Sequence, residues 1–580
     1  MKTPAIVQLW RSEFGNYSAE RFRLDLLAGL TVAAVALPLA LAFGVASSAT
    51  AAAGLVTAII AGFVIGALSG APYQISGPTG AMSAVLVVIV QKYGLQGLWT
   101  AGVLAGAMML ALGIFRLGWV INFIPAPVIT GFTSGIALII FIGQIDNFLG
   151  VTTLGAETVA LKAIGYVTNA IPAPNWQPVF CAAIVIVTML VLPRLKWTSH
   201  FPAALIGIAI ATAAGWSLGW TIITIGTIPA TILLDERFMP TVNDLGNLGD
   251  LLVPAVAIAA LGSIESLLAG TVAGRMTGIK LNANQELVAQ GVGNLITPFF
   301  GGVPATAAIA RMSVGVKAGG VTRMVSFVHS GTLLASALFL GGLIGRIPLA
   351  ALAGVLMVTA WRMNEWHLIR FYMRRRLKSP TTVMFATMLA TVALDLTQAI
   401  LVGVVLSLFL FISQVSRLDI VPTDVDWERL RANGYAIASE PESIKVVYVS
   451  GTLFFGAAHQ LVNQVEALGS CKVLILSMRG VPMMDASGLH SIEQIWQNQV
   501  KQGGLLYLTG LQPQVQQLLE RAGVTNEIGT DKFLWSADQA IRSACEILRT
   551  GPLQYDDEAQ HLLTGDEELD EMPLGVVTIE

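Results

Sequence analysis

Up to about residue 415 the chain is a succession of apolar runs cut by short polar turns. A helix needs about 20 residues to cross the hydrocarbon core of a bilayer. Runs of about that length or somewhat shorter fall at 26–46, 52–70, 78–92, 98–116, 125–145, 177–193, 201–219, 252–272, 283–300, 304–316, 324–343, 347–363, 381–396 and 398–415. The pattern predicts fourteen spans, several too short to cross alone. Arg11, Arg21 and Arg23 precede the first. Arg116, Arg194, Lys196, Arg275, Lys280, Lys317, Arg323, Arg370, Arg374, Arg375, Arg376 and Lys378 all follow even-numbered spans, and Arg346 is the exception. By the positive-inside rule both termini belong in the cytoplasm.

From about residue 438 the pattern changes. Ile444–Phe455 reads as two short strands around Ser450 and Gly451. A helix over 457–468, a strand over 472–477, a helix over 487–501, a strand over 505–509 and a helix over 513–522 follow. This alternation predicts a small α/β domain over 438–550. Residues 553–580 hold nine acidic residues and no Lys or Arg, so 551–580 reads as a disordered, solvated tail.

Composition agrees with a polytopic membrane protein. Of 580 residues, 54% are hydrophobic and 12% charged, against about 25% charged in soluble domains. The mean hydropathy is +0.71. A net charge of −3 gives no reason to expect a nucleic-acid partner. The three cysteines and six histidines are scattered and form neither a metal cluster nor a disulfide framework. Residues 1–24 form a polar segment without the order of a cleaved signal peptide.

Two of the short spans carry a candidate site. Span 3 is approached through Ile75-Ser76-Gly77-Pro78-Thr79-Gly80-Ala81 and span 10 through Gly301-Gly302-Val303-Pro304-Ala305-Thr306-Ala307. Transporters build midplane sites from such Gly/Pro-interrupted segments in corresponding halves. Pro38 and Pro78 stand 40 positions apart, and Glu265 and Pro304 stand 39 apart. That spacing suits a repeated unit of seven spans. Two facing helix N-termini bind anions, each with open N–H groups and about half a positive charge. The candidate donors are the backbones of Thr79, Gly80 and Ala81 and of Thr306, Ala307 and Ala308, with the two threonines adding hydroxyls or simply capping their helices. Arg311, four residues after Ala307, either adds a full charge to this site or snorkels to the end of span 10. Glu265 sits in the apolar run Val253–Gly278, where a carboxylate costs about 3 kcal/mol. It is either a helix-to-helix hydrogen-bonding group or the coupling group. In the second case its protonation removes repulsion of the anion, which couples anion binding to proton binding.

At these residues the chain resembles the sulfate permease (SulP) family of anion transporters over about residues 20–545. The resemblance rests on Pro38-Leu39-Ala40-Leu41-Ala42-Phe43-Gly44, Ser76-Gly77-Pro78-Thr79-Gly80, Asn284-Gln285-Glu286-Leu287 with Gly291 and Asn294, and Gly301–Thr306 with Arg311. It implies a transport domain over 25–417 with fourteen spans in two inverted seven-span repeats, as in uracil permeases. A core of spans 1–4 and 8–11 would move against a gate of spans 5–7 and 12–14. The resemblance also adds Pro38 and Phe43 to the substrate-binding residues. It implies a bacterial inner-membrane protein, commonly a homodimer, working on a small anion with a coupling ion among membrane lipids.

Many sulfate-transporting members carry Gln where this chain has Leu39. The sodium-coupled bicarbonate branch carries Asp at the place of Glu265 and Thr at the place of Ala269, and it lacks an Arg at the place of Arg311. This chain therefore looks more like proton-coupled members that carry sulfate or C4-dicarboxylates. The alternatives are a sodium-dependent bicarbonate transporter, an uncoupled exchanger or channel, and a membrane-anchored scaffold. The C-terminal domain resembles a STAS domain, named for sulfate transporters and anti-sigma-factor antagonists, with Asp485-Ala486-Ser487-Gly488-Leu489 as its signature. There Asp485 or Ser487 caps a helix, or Ser487 is a regulatory phosphorylation site. Family members bind partners such as acyl carrier protein through this domain. No nucleophile with a base, phosphate-binding lysine loop or metal motif is present, so the expectation is a transporter, not an enzyme, without cofactor.

Overall fold

The apolar runs become helices in a computed structural model that describes residues 5–119, 125–151, 165, 175–195, 202–240, 248–394, 396–432 and 441–550. The predicted acidic tail lies outside the described residues. The chain divides into two compact units, Met1–Ser407 and Leu408–Glu580.

The first unit contains α1 (Ala5–Phe14), α2 (Ala19–Ala46), α3 (Ala51–Leu68), α4 (Gly80–Ile114), α5 (Ala126–Gly143), α6 (Ile145–Leu149), α7 (Trp176–Val191) and α8 (Ala203–Ser217). It continues with α9 (Leu248–Thr277), α10 (Ala283–Ile296), α11 (Ile309–Lys317), α12 (Met324–Ile344), α13 (Leu349–Met363), α14 (Trp366–Arg374) and α15 (Lys378–Ala393). The next helix, α16 (Leu396–Val415), begins in this unit and runs into the second. Among the described residues eight helices have the length and apolarity to cross a membrane alone. Spans 3 and 4 appear as the two halves of α4, separated at Gly94, whose φ of 69° breaks the helix. Only a residue without Cβ adopts that backbone freely.

Span 10 begins later than the sequence pattern predicts. Helix α11 has nine residues, and the stretch before it is extended. There β2 (Thr306–Ala307) pairs antiparallel with β1 (Ser76–Gly77), Ser76 opposite Ala307 and Gly77 opposite Thr306. Pairing across the two breaks satisfies backbone groups that a helix would have satisfied internally. Small side chains such as Ala28, Ala36, Ala40, Ala58, Ala101 and Ala105 fill much of the buried interior, which lets helices approach closely. Helices α1 and α14 are short amphipathic pieces that fell below the length of a span.

The second unit holds a five-stranded sheet in the order β3 (Asp419–Thr423), β4 (Ile444–Ser450), β5 (Val473–Gly480), β6 (Leu505–Thr509), β7 (Phe533–Leu534). Strand β3 is antiparallel to β4 and the other pairs are parallel. Two apolar cores cover the sheet's faces. The run Val473–Met478 is buried throughout, as a parallel strand covered on both faces must be. Past Gly451 the predicted second strand reduces to a single bridge between Leu453 and Met484. Gly451, at φ 121°, ends β4. The pattern missed β3, which carries Pro422 and is largely exposed, as an edge strand can be.

Candidate functional site

The β1–β2 pair carries the breaks before α4 and α11 to one place. Thr79 caps α4: its Oγ1 accepts from the Met82 N–H at 3.3 Å. The same hydroxyl donates to Glu265 Oε2 at 3.0 Å. Its proton therefore points at the carboxylate while its lone pair holds the helix. Gly80 and Ala81, in the first turn, have no intrahelical acceptor for their N–H groups.

The donors on the other side differ from those the sequence suggested. Ala307 N–H donates to Ser266 Oγ at 3.1 Å, and Ala308 N–H donates to the Ile75 carbonyl at 3.0 Å. The Thr306 hydroxyl donates to the Ala307 carbonyl at 3.0 Å and does not cap α11. Because α11 starts at Ile309, its open first-turn donors are Ile309, Ala310 and Arg311. Ala308 precedes this helix without a side-chain cap.

Arg311 does not snorkel. It is 1% exposed, and its Nη2 donates to the Pro78 carbonyl at 2.8 Å. The side chain thus reaches from one broken segment to the other. Its Nε and Nη1 have no partner among the described residues. Gly77 makes room for this reach: a Cβ there would stand 2.1 Å from Nη1. Nearby on α12, His329 and Ser330 are buried with their polar side-chain atoms unpartnered, and Gly62 of α3 passes over both. Sequence reasoning passed over this histidine, whose signal was an imidazole inside an otherwise apolar run.

Phe43 lies at the start of α4, where a Cβ on Gly80 would stand 3.1 Å from its ring. The same position meets Ile140 of α5 at 2.7 Å and Met363 of α13 at 3.1 Å. Neither was picked out in the sequence. Pro38 is buried inside α2, five residues before Phe43.

A buried polar frame holds the breaks. Asn294 accepts from Ala305 N–H at 2.7 Å and donates to the Ala305 carbonyl at 2.9 Å. The Thr57 hydroxyl accepts from Val303 N–H at 2.7 Å. Glu286 accepts from Gly70 N–H at 3.0 Å and from Gln290 at 2.8 Å, and Gln290 donates to Ser76 Oγ at 2.9 Å. The Asn284–Asn294 stretch therefore acts as scaffolding for the two broken segments.

A family model described as the sulfate permease family matches residues 22–387, more than half of the chain. The chain belongs to the sulfate permease family. A STAS-domain model matches residues 435–537 of this permease. It is 33% identical over 532 residues to the putative sulfate transporter YvdB of Bacillus subtilis, covering 91% of this chain and 98% of that one. It is 29% identical to the bicarbonate transporter BicA of Picosynechococcus, covering 90% and 94%. The fold matches murine Solute Carrier 26 family member A9, an anion transporter in the inward-facing state, with a TM-score of 0.82 at 20% identity, covering 94% and 95%. It also matches the transmembrane domain of a cyanobacterial BicA at 0.60 and 28% identity, covering 68% and 98%.

In the permease's STAS domain, Asp485 caps the helix Ala486–Lys501. Its Oδ1 accepts from Gly488 N–H at 2.9 Å and its Oδ2 from Phe455 N–H at 3.1 Å. Ser487 stands half-buried in the first turn of that helix.

Proposed function

We propose that this sulfate permease is a secondary active transporter of small anions, sulfate or a C4-dicarboxylate, working by proton symport. The observation that carries the proposal is the Glu265–Thr79 hydrogen bond at a helix end that Arg311 also touches. A divalent oxyanion would be held by the open N–H groups of Gly80, Ala81, Ile309 and Ala310 and by the free guanidinium edge of Arg311. An ionised Glu265 repels that anion. A protonated Glu265 does not, and the Thr79 hydroxyl can then turn toward the anion. Anion and proton therefore bind together and leave together.

The movement we propose is elevator-like, with spans 1–4 and 8–11 as the core and spans 5–7 and 12–14 as the gate, within a transport domain over 25–417 and ahead of a STAS domain over 438–550. The contact of the Gly80 helix end with Ile140 and Met363 supports this division, since those residues come from spans 5 and 12. It would let the gate cover the site's open donors. Phosphorylation of Ser487, at a helix N-terminus, would be the regulatory input.

Proteoliposome uptake of labelled sulfate, fumarate and bicarbonate, under a proton gradient and separately a sodium gradient, tests the reading. Proton-driven uptake of sulfate or fumarate that becomes indifferent to the proton gradient in Glu265→Gln is the expected result. The second reading, sodium-dependent bicarbonate transport, is favoured by the similarity to two BicA proteins at 29% identity. Bicarbonate uptake driven only by sodium would establish it and overturn the first.

A further inference from the structure

Helix α14 joins two apolar helices, α13 and α15, and at nine residues is too short to cross anything. Apart from His367, its exposed side chains and those of the following turn are of two kinds. Arg370, Arg374, Arg375, Arg376 and Lys378 are all exposed, and among the described residues none of them is in an ion pair. Phe371, Met373 and Leu377 are exposed apolar groups between and beside them, and Trp361, in the last turn of α13, is exposed as well. The nearest carboxylate in sequence, Glu365, is engaged by the Thr130 hydroxyl at 2.5 Å. Only Tyr372 of this helix is buried. The Trp361 and Trp366 rings pack against each other at a tilt of 39° with centroids 4.5 Å apart, and Trp366 Nε1 donates to the Trp361 carbonyl at 2.9 Å.

The turn adds an independent observation. Arg376 has φ 51°, a left-handed backbone. Its N–H bonds the Met373 carbonyl and the Leu377 N–H bonds the Tyr372 carbonyl, the pattern of a helix end that favours glycine at this position. An arginine there costs on the order of 1 kcal/mol in backbone energy. Among the described residues three non-glycines have positive φ, and two are arginines, Arg116 and Arg376, each just after an apolar helix or its short extension. The chain thus keeps a cation where backbone energy alone would choose glycine.

We infer that α14 and its turn form a binding surface for anionic phospholipid headgroups. Exposed cations with apolar and aromatic side chains between them suit one environment, the boundary between acyl chains and headgroups. Phe371, Met373 and Leu377 enter the acyl edge, the tryptophan pair sits at headgroup level, and the four cations from Arg374 to Lys378 meet lipid phosphates. Arginine binds phosphate with a planar fork, which suits a headgroup better than a diffuse charge does. This inference is independent of which anion is carried.

The test uses the full-length protein in vesicles of phosphatidylcholine with an equal small fraction of brominated phosphatidylglycerol or brominated phosphatidylcholine. The readout is quenching of the Trp361/Trp366 signal, taken as the difference from the W361F/W366F variant. Brominated phosphatidylglycerol should quench it more strongly. The preference should fall about fivefold per cation removed in Arg374→Gln and Arg375→Gln, and it should weaken as salt rises. Arg376→Gly relieves the backbone strain, so it should fold at least as well as wild type while losing its share of the preference. Equal quenching by both lipids, preference unchanged in all three variants, or no quenching by either lipid would each overturn the inference.

Discussion

Arg311 shows how much one side chain can depend on a neighbour that has none. Its guanidinium passes Gly77 to reach the Pro78 carbonyl, and a methyl group at Gly77 would occupy the place of Nη1. Gly77→Ala should therefore displace the guanidinium without touching the helix ends. Uptake kinetics should show KM raised roughly tenfold or more, the cost of one charge-assisted hydrogen bond. The unfolding temperature should fall as well, because the buried guanidinium loses its bond to the Pro78 carbonyl. Glu265 is the complementary residue. Glu265→Gln keeps a group that can bond Thr79 but removes the titrating charge, so it separates anion binding from proton coupling. Anion binding should persist in the variant, and its uptake should lose pH dependence.

Among the helices, α1 is the element the sequence undersold. It reads as part of a polar N-terminal segment, yet it is held to the helices around it by a buried ion pair. Arg323 is fully buried and donates Nη2 to Glu13 Oε1 at 2.5 Å and Nε to Glu13 Oε2 at 2.9 Å. Its remaining Nη1 donates to the Ala67 carbonyl at 2.7 Å, and Trp10 lies 5.3 Å from the guanidinium. Beside it, Asp25 accepts from Val321 and Thr322 N–H at 2.7 and 3.1 Å and from the Tyr17 hydroxyl at 3.0 Å. Burial, and then the Asp25 carboxylate, push the Tyr17 hydroxyl up to about 12. Because the folded value is raised, the Tyr17 contact contributes fully below about 10 and is lost only as pH climbs through about 12. These contacts grip the turn that follows α11, the helix bearing Arg311. Glu13→Gln leaves Arg323 buried without its counter-charge and should cost about 3–5 kcal/mol, read as a large fall in thermal unfolding temperature. In the STAS domain, Asp485→Ala at the cap of the helix Ala486–Lys501 releases two backbone N–H groups and should cost about 1–2 kcal/mol, while Ser487→Ala should leave stability nearly unchanged.

For the whole molecule, the hydropathy pattern determined a great deal. It placed the apolar helices, the α/β alternation from Ile444 onward and the two Gly/Pro breaks, because burial and membrane insertion act on local runs of side chains, but the sheet itself begins earlier, with β3 at Asp419. It also marked Glu265 and Arg311, since charge in an apolar run is visible without a structure. What it could not reach were pairings between distant segments. That Thr79 bonds Glu265, 186 residues away, and that Arg311 ends on Pro78, 233 residues away, depends on β1 meeting β2. The same pairing engages the Ala308 N–H group, Ser266 of α9 takes the Ala307 N–H, and the open donors move to Ile309–Arg311. Ile140 and Met363 come to the site only because α5 and α13 pack against α4's first turn. Nothing in their own neighbourhoods separates them from other apolar residues. Local chemistry is written in consecutive residues, but the partner of a hydrogen bond is chosen by the fold.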